Sequence, residues 1–148
     1  MITLKNAKYK AEEITNAKIP KFLSLHNWKN AGVISKPESY INDSDTGGRS
    51  GIFPNKIVIE IVVAAELKEK YSLKQIAKAR SDLLNGLDNI KKLKNNELIN
   101  EIIKEDISIN TAPERLMGII ILKEYANKYK EVFYRLEKFD VGLKTKVN

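Results

Sequence analysis

The pattern of apolar and polar positions predicts two short helices near the start of the chain. The first covers residues 9–17, behind an N-terminal arm, and the second covers residues 21–31. In the second helix apolar residues recur at every third position and form one inward stripe: Phe22, Leu25, Trp28 and Ala31. The stripe leaves other residues of this helix facing outward: Lys21, Ser24, Asn27 and Lys29. Gly32 follows directly, where a glycine is typical of a helix C-cap.

A hairpin and a third helix are predicted next. Residues 33–41 and 50–53 form its two strands, and the polar stretch between them is rich in turn-forming residues. Pro54 suits the first turn of a helix that continues to about residue 70 with a wide apolar face. The order is therefore helix, helix, hairpin, helix.

A fourth helix is predicted over residues 73–84, with Ser72 as its N-cap. Gly86 is the expected break after it. Its inward-facing residues are expected to be Leu73, Ile76 and Ala77.

The rest of the chain is predicted to be helical throughout. One helix covers residues 93–105, and a long one begins with Thr111 as N-cap and Pro113 in its first turn and continues to about residue 139. Apolar residues of the long helix alternate by threes and fours, the spacing of a heptad seam: Leu122, Tyr125, Tyr129, Val132, Leu136 and Phe139. The seam could be a homodimer interface or a face packed within the same chain. Alternatively, its two tyrosines could line a small-molecule pocket.

Composition excludes several kinds of function. The 148 residues include no cysteine and a single histidine, His26, so we expect no disulfide and no thiolate or histidine-rich metal site. There is no phosphate-binding glycine loop and no nucleophile motif, so we expect no enzymatic activity and no cofactor. No apolar run approaches the ~20 residues of a bilayer span, and the N-terminus has no leader-like stretch. We therefore expect a cytoplasmic protein with no membrane partner.

Positive charge is concentrated in the first half of the chain. Residues 1–80 hold 14 Lys and Arg against 8 Asp and Glu, whereas residues 81–148 hold 12 against 11. Concentrated positive charge attracts a polyanion and releases its counterions. A lysine-rich solvated surface would be the plainer explanation, but the asymmetry favours a nucleic-acid partner.

Three motifs make the N-terminal half resemble the MerR-type winged helix-turn-helix regulators. They are Leu25-His26-Asn27-Trp28 followed by Gly32-Val33-Ile34, then Gly48-Arg49-Ser50-Gly51-Ile52-Phe53-Pro54, and then Leu67-Lys68-Glu69-Lys70-Tyr71-Ser72-Leu73-Lys74-Gln75-Ile76. The resemblance covers residues 9–80. It implies a winged helix-turn-helix with a two-stranded wing. Together with the heptad spacing further along the chain, the expected fold is mainly α, with a C-terminal helical segment of coiled-coil character after the winged domain. The resemblance also implies sequence-specific binding of double-stranded DNA as a homodimer. His26 departs from the family, which usually has an arginine at that place.

The expected DNA-contacting residues lie on the second helix and at the hairpin turn. They are Lys21, Ser24, His26, Asn27, Lys29, Arg49 and Ser50. Asparagine can read adenine, lysine can reach guanine or phosphate, and an arginine between glycines can approach the DNA backbone closely. The alternatives are a solvated helix face and an exposed turn arginine. Trp28 is expected to pack in the core.

We therefore expect a DNA-binding domain over residues 1–84 and a helical oligomerisation or effector segment over residues 87–141. The expected function is that of a transcriptional regulator, and the heptad seam is the expected dimer interface, because dimers read two half-sites. Two alternatives remain open. One is an architectural, replication, partition or excision factor of a mobile genetic element. The other is a helical adaptor whose basic face binds an acidic protein. The sequence leaves any effector unidentified.

Overall fold

The computed structural model describes residues 1–42, 49–89 and 113–147. Within them the chain is mainly helical, with one small antiparallel sheet. The elements in chain order are β1 (Ile2–Thr3), α1 (Leu4–Ile14), α2 (Phe22–Asn30), β2 (Ser39–Asn42), β3 (Arg49–Phe53), α3 (Ile57–Leu67), α4 (Leu73–Asn89) and α5 (Pro113–Val147). The expected turn glycines, the helix over residues 93–105 and the Thr111 cap lie outside the described residues.

The N-terminal residues form an edge strand, which corrects the expected arm. The strand order in the sheet is β1-β3-β2, and Ile2 is opposite Phe53 in the β1–β3 pair. Thr3 then caps α1, since its Oγ1 accepts a hydrogen bond from the Asn6 backbone N–H at 3.3 Å. Helix α1 therefore begins five residues earlier than the apolar pattern predicted.

The expected pair of hairpin strands is present, although β2 is shorter than predicted. Asn42 is opposite Arg49 and Ser39 is opposite Ile52, and Glu38 N–H donates to the Ile52 carbonyl at 2.8 Å. Position 51 has no room for a side chain, because a Cβ there would lie 2.9 Å from the Cβ of Pro37. A glycine is therefore required at this position of β3.

The end of α2 confirms the expected glycine cap. Gly32 has φ of +80°, and its N–H donates to the Lys29 carbonyl while Val33 N–H donates to the Trp28 carbonyl. These two bonds are those of a Schellman motif, which needs a left-handed residue at its centre. The chain leaves α2 in a fixed direction as a result.

Helix α3 lies at the centre of the core. Ten of its eleven residues are buried, Glu66 being the exception. Helices α1, α4 and α5 all pack against it. A helix that is apolar all round can be stable only when neighbours cover every face.

Helix α4 begins with the expected cap and ends later than expected. Ser72 Oγ accepts from Gln75 N–H at 3.2 Å, and Gln75 Oε1 accepts from Ser72 N–H at 2.9 Å, which is a capping box. Ile76, Ala79 and Leu83 are buried and Ala77 packs beside them, whereas Leu73 is 38% exposed, contrary to expectation. The helix also continues through Gly86 to Asn89, so the expected break is absent.

The heptad seam of α5 packs against the rest of its own chain. Tyr125 and Val132 are buried, and four partly buried residues pack beside them: Leu122, Tyr129, Leu136 and Phe139. Their neighbours are α3, α4 and α1. The seam therefore packs within its own chain, which is one of the two alternatives that the sequence left open, and its role as a dimer interface stays a prediction. One core thus includes residues from both predicted segments. Helix α5 also continues beyond residue 139 to Val147.

Among the described residues, no helix has the length and apolar character needed to cross a bilayer.

Candidate nucleic-acid interface

The outward face of α2 differs from the one the apolar stripe predicted. Leu25 and Trp28 are buried, and the opposite side of the helix consists of exposed residues: Leu23, His26, Asn27 and Asn30. Of the expected contact residues, Lys21 is exposed at the N-cap, whereas Ser24 and Lys29 lie on the flanks and are only partly exposed.

The physical reason for this difference is the helical period. Three residues advance an α-helix by 300°, so a strict every-third pattern drifts around the axis. Only the middle of the stripe, Leu25 and Trp28, therefore faces the core. Phe22 is 38% exposed and Ala31 is exposed at the two ends of the stripe. A helical projection centred on the two buried residues would have placed Leu23 and Asn30 on the exposed side of the helix.

Arg49 lies at the start of β3, on the exposed surface of the strand pair. Its guanidinium lies 4.8 Å from the centroid of the Tyr40 ring, which is itself exposed on β2. Stacking on an aromatic face restricts the side chain and keeps its charge at the surface. Ser50 follows and is partly exposed. Arg49 therefore has a stacking partner that the turn sequence did not predict.

A buried polar network fixes the segment between α2 and the sheet. Glu60 of α3 accepts hydrogen bonds from Ser35 N–H at 3.0 Å, from Ser35 Oγ at 2.6 Å and from Arg80 Nε at 2.5 Å. Arg80, on α4, also donates to the Gly32 carbonyl at 3.2 Å and to Ser35 Oγ at 2.9 Å. Two core helices thus hold both the end of α2 and the residues that follow it.

Sequence reasoning missed this network, although a signal was present. Glu60 interrupts an otherwise apolar helix, and a charged residue at such a position is almost never buried without a partner. The partner, Arg80, is 20 residues away, so the sequence pattern alone did not identify it.

In the segment that carries α2 and the strand pair, the described cations form no ion pair with another described residue. None of the ion pairs among the described residues involves a residue between 15 and 56. The cations described in this segment are Lys18, Lys21, Lys29, Lys36, Arg49 and Lys56. The sequence of the segment has only three acidic residues. This charge is therefore available to a polyanion.

A second ionic cluster joins α1, α3 and α5 beside a cavity of about 1190 Å³. Arg135 donates to both carboxylate oxygens of Glu66, and Thr15 Oγ1 donates to one of them at 2.7 Å. Burial by itself would raise the pKa of Glu66, but the hydrogen bonds from Arg135, Thr15 and Lys128 outweigh it and lower the pKa to about 2. Most charges lining the cavity are thus already paired.

The seam tyrosines do not line this cavity. The Tyr125 and Tyr129 rings lie 6.5 Å apart in the core, and burial raises the pKa of Tyr129 to about 12. The described residues therefore give no support to the small-molecule alternative for these two side chains.

In the part of the chain that the structure describes, no group of three or more His, Asp or Glu side chains could hold a metal ion. No family model, curated protein or solved structure matches the chain.

Proposed function

We propose that this chain is a winged helix-turn-helix protein that binds double-stranded DNA. Helix α2 would enter the major groove, which is wide enough for one helix, and the β2–β3 pair would lie over the adjacent backbone as a wing. The observation that carries the proposal is the exposed polar face of α2 within a segment whose cations form no ion pairs among the described residues.

The order and pairing of the elements support this proposal. Two helices are followed by an antiparallel strand pair, and β1 completes a sheet of order β1-β3-β2. The network of Glu60 and Arg80 holds the segment that joins α2 to the wing. A reading helix needs such support, because a recognition surface works only when its position is fixed.

We further propose that the protein acts as a homodimeric transcriptional regulator in the cytoplasm. Two copies of α2 would read two half-sites, which raises both affinity and specificity. Because Tyr125 and Val132 of the heptad seam are buried in the core, we place the contact between the two copies on another surface. Selection of bound sequences from a random duplex pool tests this point, and a motif with two-fold symmetry is the expected result.

The DNA-binding proposal is tested with a variant that combines Lys21→Ala and Arg49→Ala. Both side chains are exposed, and Lys21 makes no capping hydrogen bond, so the variant should fold normally. We expect its affinity for labelled duplex, measured by fluorescence anisotropy at low salt, to fall by about tenfold or more. The slope of log affinity against log salt should also become shallower, since each phosphate contact contributes about −0.9.

A matched control removes the same charge elsewhere. Lys74 on α4 and Lys138 on α5 are exposed, and their double alanine variant should retain nearly all duplex affinity. Equal losses in the two double variants would indicate a nonspecific charge effect and contradict the proposed interface. Absence of duplex binding by the wild-type protein, with an acidic protein retained after nuclease treatment, would favour the adaptor instead.

A further inference from the structure

The outermost residues of α2 are not cationic. Leu23 is 74% exposed, and beside it on the same side of the helix are His26, Asn27 and Asn30. The cations of this region, Lys21 and Lys29, lie at the N-cap and on the flank. The centre of the face therefore has two amides, an imidazole and a leucine.

These side chains match the chemical groups of A·T pairs in the major groove. An asparagine amide can donate to N7 and accept from the N6 amino group of adenine, and an aliphatic side chain can contact the C5 methyl group of thymine. Guanine is most often read by arginine or lysine, and neither is present at the centre of this face. The composition of the face thus favours A·T pairs over G·C pairs.

The exposure of Leu23 fits this role better than that of a protein contact. Its apolar neighbour Phe22 is 38% exposed, against 74% for Leu23, and the Lys8 ammonium lies 5.9 Å from the centroid of the Phe22 ring. On its own side of the helix Leu23 has polar neighbours, which are His26, Asn27 and Asn30. In the major groove a thymine presents a single methyl group next to hydrogen-bonding groups of the bases.

The spacing of the residues sets the length of the site. Leu23, Asn27 and Asn30 are four and then three residues apart, so they lie on one side of the helix and span about 10 Å of its axis. A base pair rises about 3.4 Å along the duplex, so a helix inclined in the groove covers at most about three base-pair steps over this distance.

We propose that Asn27 and Asn30 each read an adenine and that Leu23 contacts a thymine methyl group, so that each half-site contains a short A·T run. Lys21 and Lys29 contact the phosphates that flank this run. The inference rests on the proposed function, since it assigns base specificity to the same helix.

The first test is selection from a random duplex pool, followed by affinity measurements on the selected duplex. We expect an A·T run of about three to four pairs in the wild-type motif. Asn27→Ala and Asn30→Ala should each reduce the preference for A·T over G·C at one position by about tenfold. Lys29→Ala is the control, and it should weaken binding to all sequences without changing the preferred bases.

The second test isolates the contact with the methyl group. Replacing a thymine of the run by deoxyuridine removes only the C5 methyl group, and wild-type affinity should fall by about fourfold. Leu23→Ala should lower affinity for the thymine duplex by a similar factor, and its affinity should no longer depend on the replacement. Because Leu23 is exposed, the variant should melt at the wild-type temperature.

The possible failures are distinguishable. A wild-type protein that binds no duplex refutes the proposed function and this inference together. Duplex binding with a G·C motif, or with A·T preference unchanged in both asparagine variants, refutes the inference alone. Equal responses of wild type and Leu23→Ala to deoxyuridine refute the assignment of Leu23.

Discussion

The buried pair of Glu60 and Arg80 makes a quantitative prediction about stability. The Glu60 side chain is only 2% exposed, and Arg80→Ala would leave its carboxylate with no donors except those of Ser35. The same change removes a hydrogen bond to the Gly32 carbonyl. Removing one partner of a buried ion pair typically costs about 3–5 kcal/mol, because the remaining charge stays buried without compensation.

A loss of this size is a large part of the stability of a single domain, which is about 5–15 kcal/mol. It should lower the melting temperature by about 10 °C or more. Urea unfolding, followed by circular dichroism and by fluorescence, measures the loss directly. Trp28 is the only tryptophan of the chain and is buried, so its fluorescence reports on the core next to the network.

Two further variants separate the buried charge from the loss of the arginine itself. Lys78→Ala removes an exposed ion pair with Asp82 on the same helix and should cost less than about 1 kcal/mol. Adding Glu60→Gln to Arg80→Ala should recover part of the loss, since the buried charge is then removed. A loss below about 1 kcal/mol for Arg80→Ala, or no recovery in the double variant, would refute this account of the network.

Three other predictions concern stability. Hydrogen bonding lowers the pKa of Glu66 to about 2, so ionised Glu66 stabilises the folded chain. This contribution to the free energy of unfolding is fully present above the ordinary glutamate pKa of about 4.5 and is lost as the pH falls from about 4.5 to 2. Because solvent screens the partly exposed cluster, urea titrations should show a loss of about 1–2 kcal/mol over this pH range. Glu66→Gln should abolish this pH dependence. Ser72→Ala removes the hydroxyl that accepts from Gln75 N–H and should cost about 1 kcal/mol in the same assay. Gly32→Ala should cost about 1 kcal/mol because of its φ of +80°, whereas Gly118→Ala, inside α5 with free space, should stabilise by about 0.5–1 kcal/mol.

Each of these predictions has a control or a contradicting outcome. Glu137→Gln, at an exposed position of α5, should leave the pH profile unchanged, and a similar flattening would contradict the role given to Glu66. Ser81→Ala, at an exposed position inside α4, should be neutral or slightly stabilising. Equal effects of alanine at Gly32 and Gly118 would show that backbone conformation is not the cause.

Some features of the fold followed from short stretches of sequence. Gly32 indicated the end of α2, Ser72 indicated the start of α4, and the polar stretch before Arg49 indicated that the strands on its two sides pair. These signals are reliable because each depends on residues within about five positions of one another. The apolar spacing of α2 also predicted that Trp28 packs in the core, where it is buried. The count of charged residues showed that the positive charge is concentrated in the first half of the chain.

The features that define the candidate interface depend on contacts between distant residues. Ile2 pairs with Phe53, Arg80 reaches Glu60, and the seam of α5 packs on α3 and α4 of its own chain. A periodic pattern shows that a face is apolar, but it does not show which surface covers it. The sequence by itself therefore determined where most helices begin and which residues they can bury. Only the tertiary structure decided which side of α2 remains exposed and what holds it in place, because both depend on the packing of the other helices.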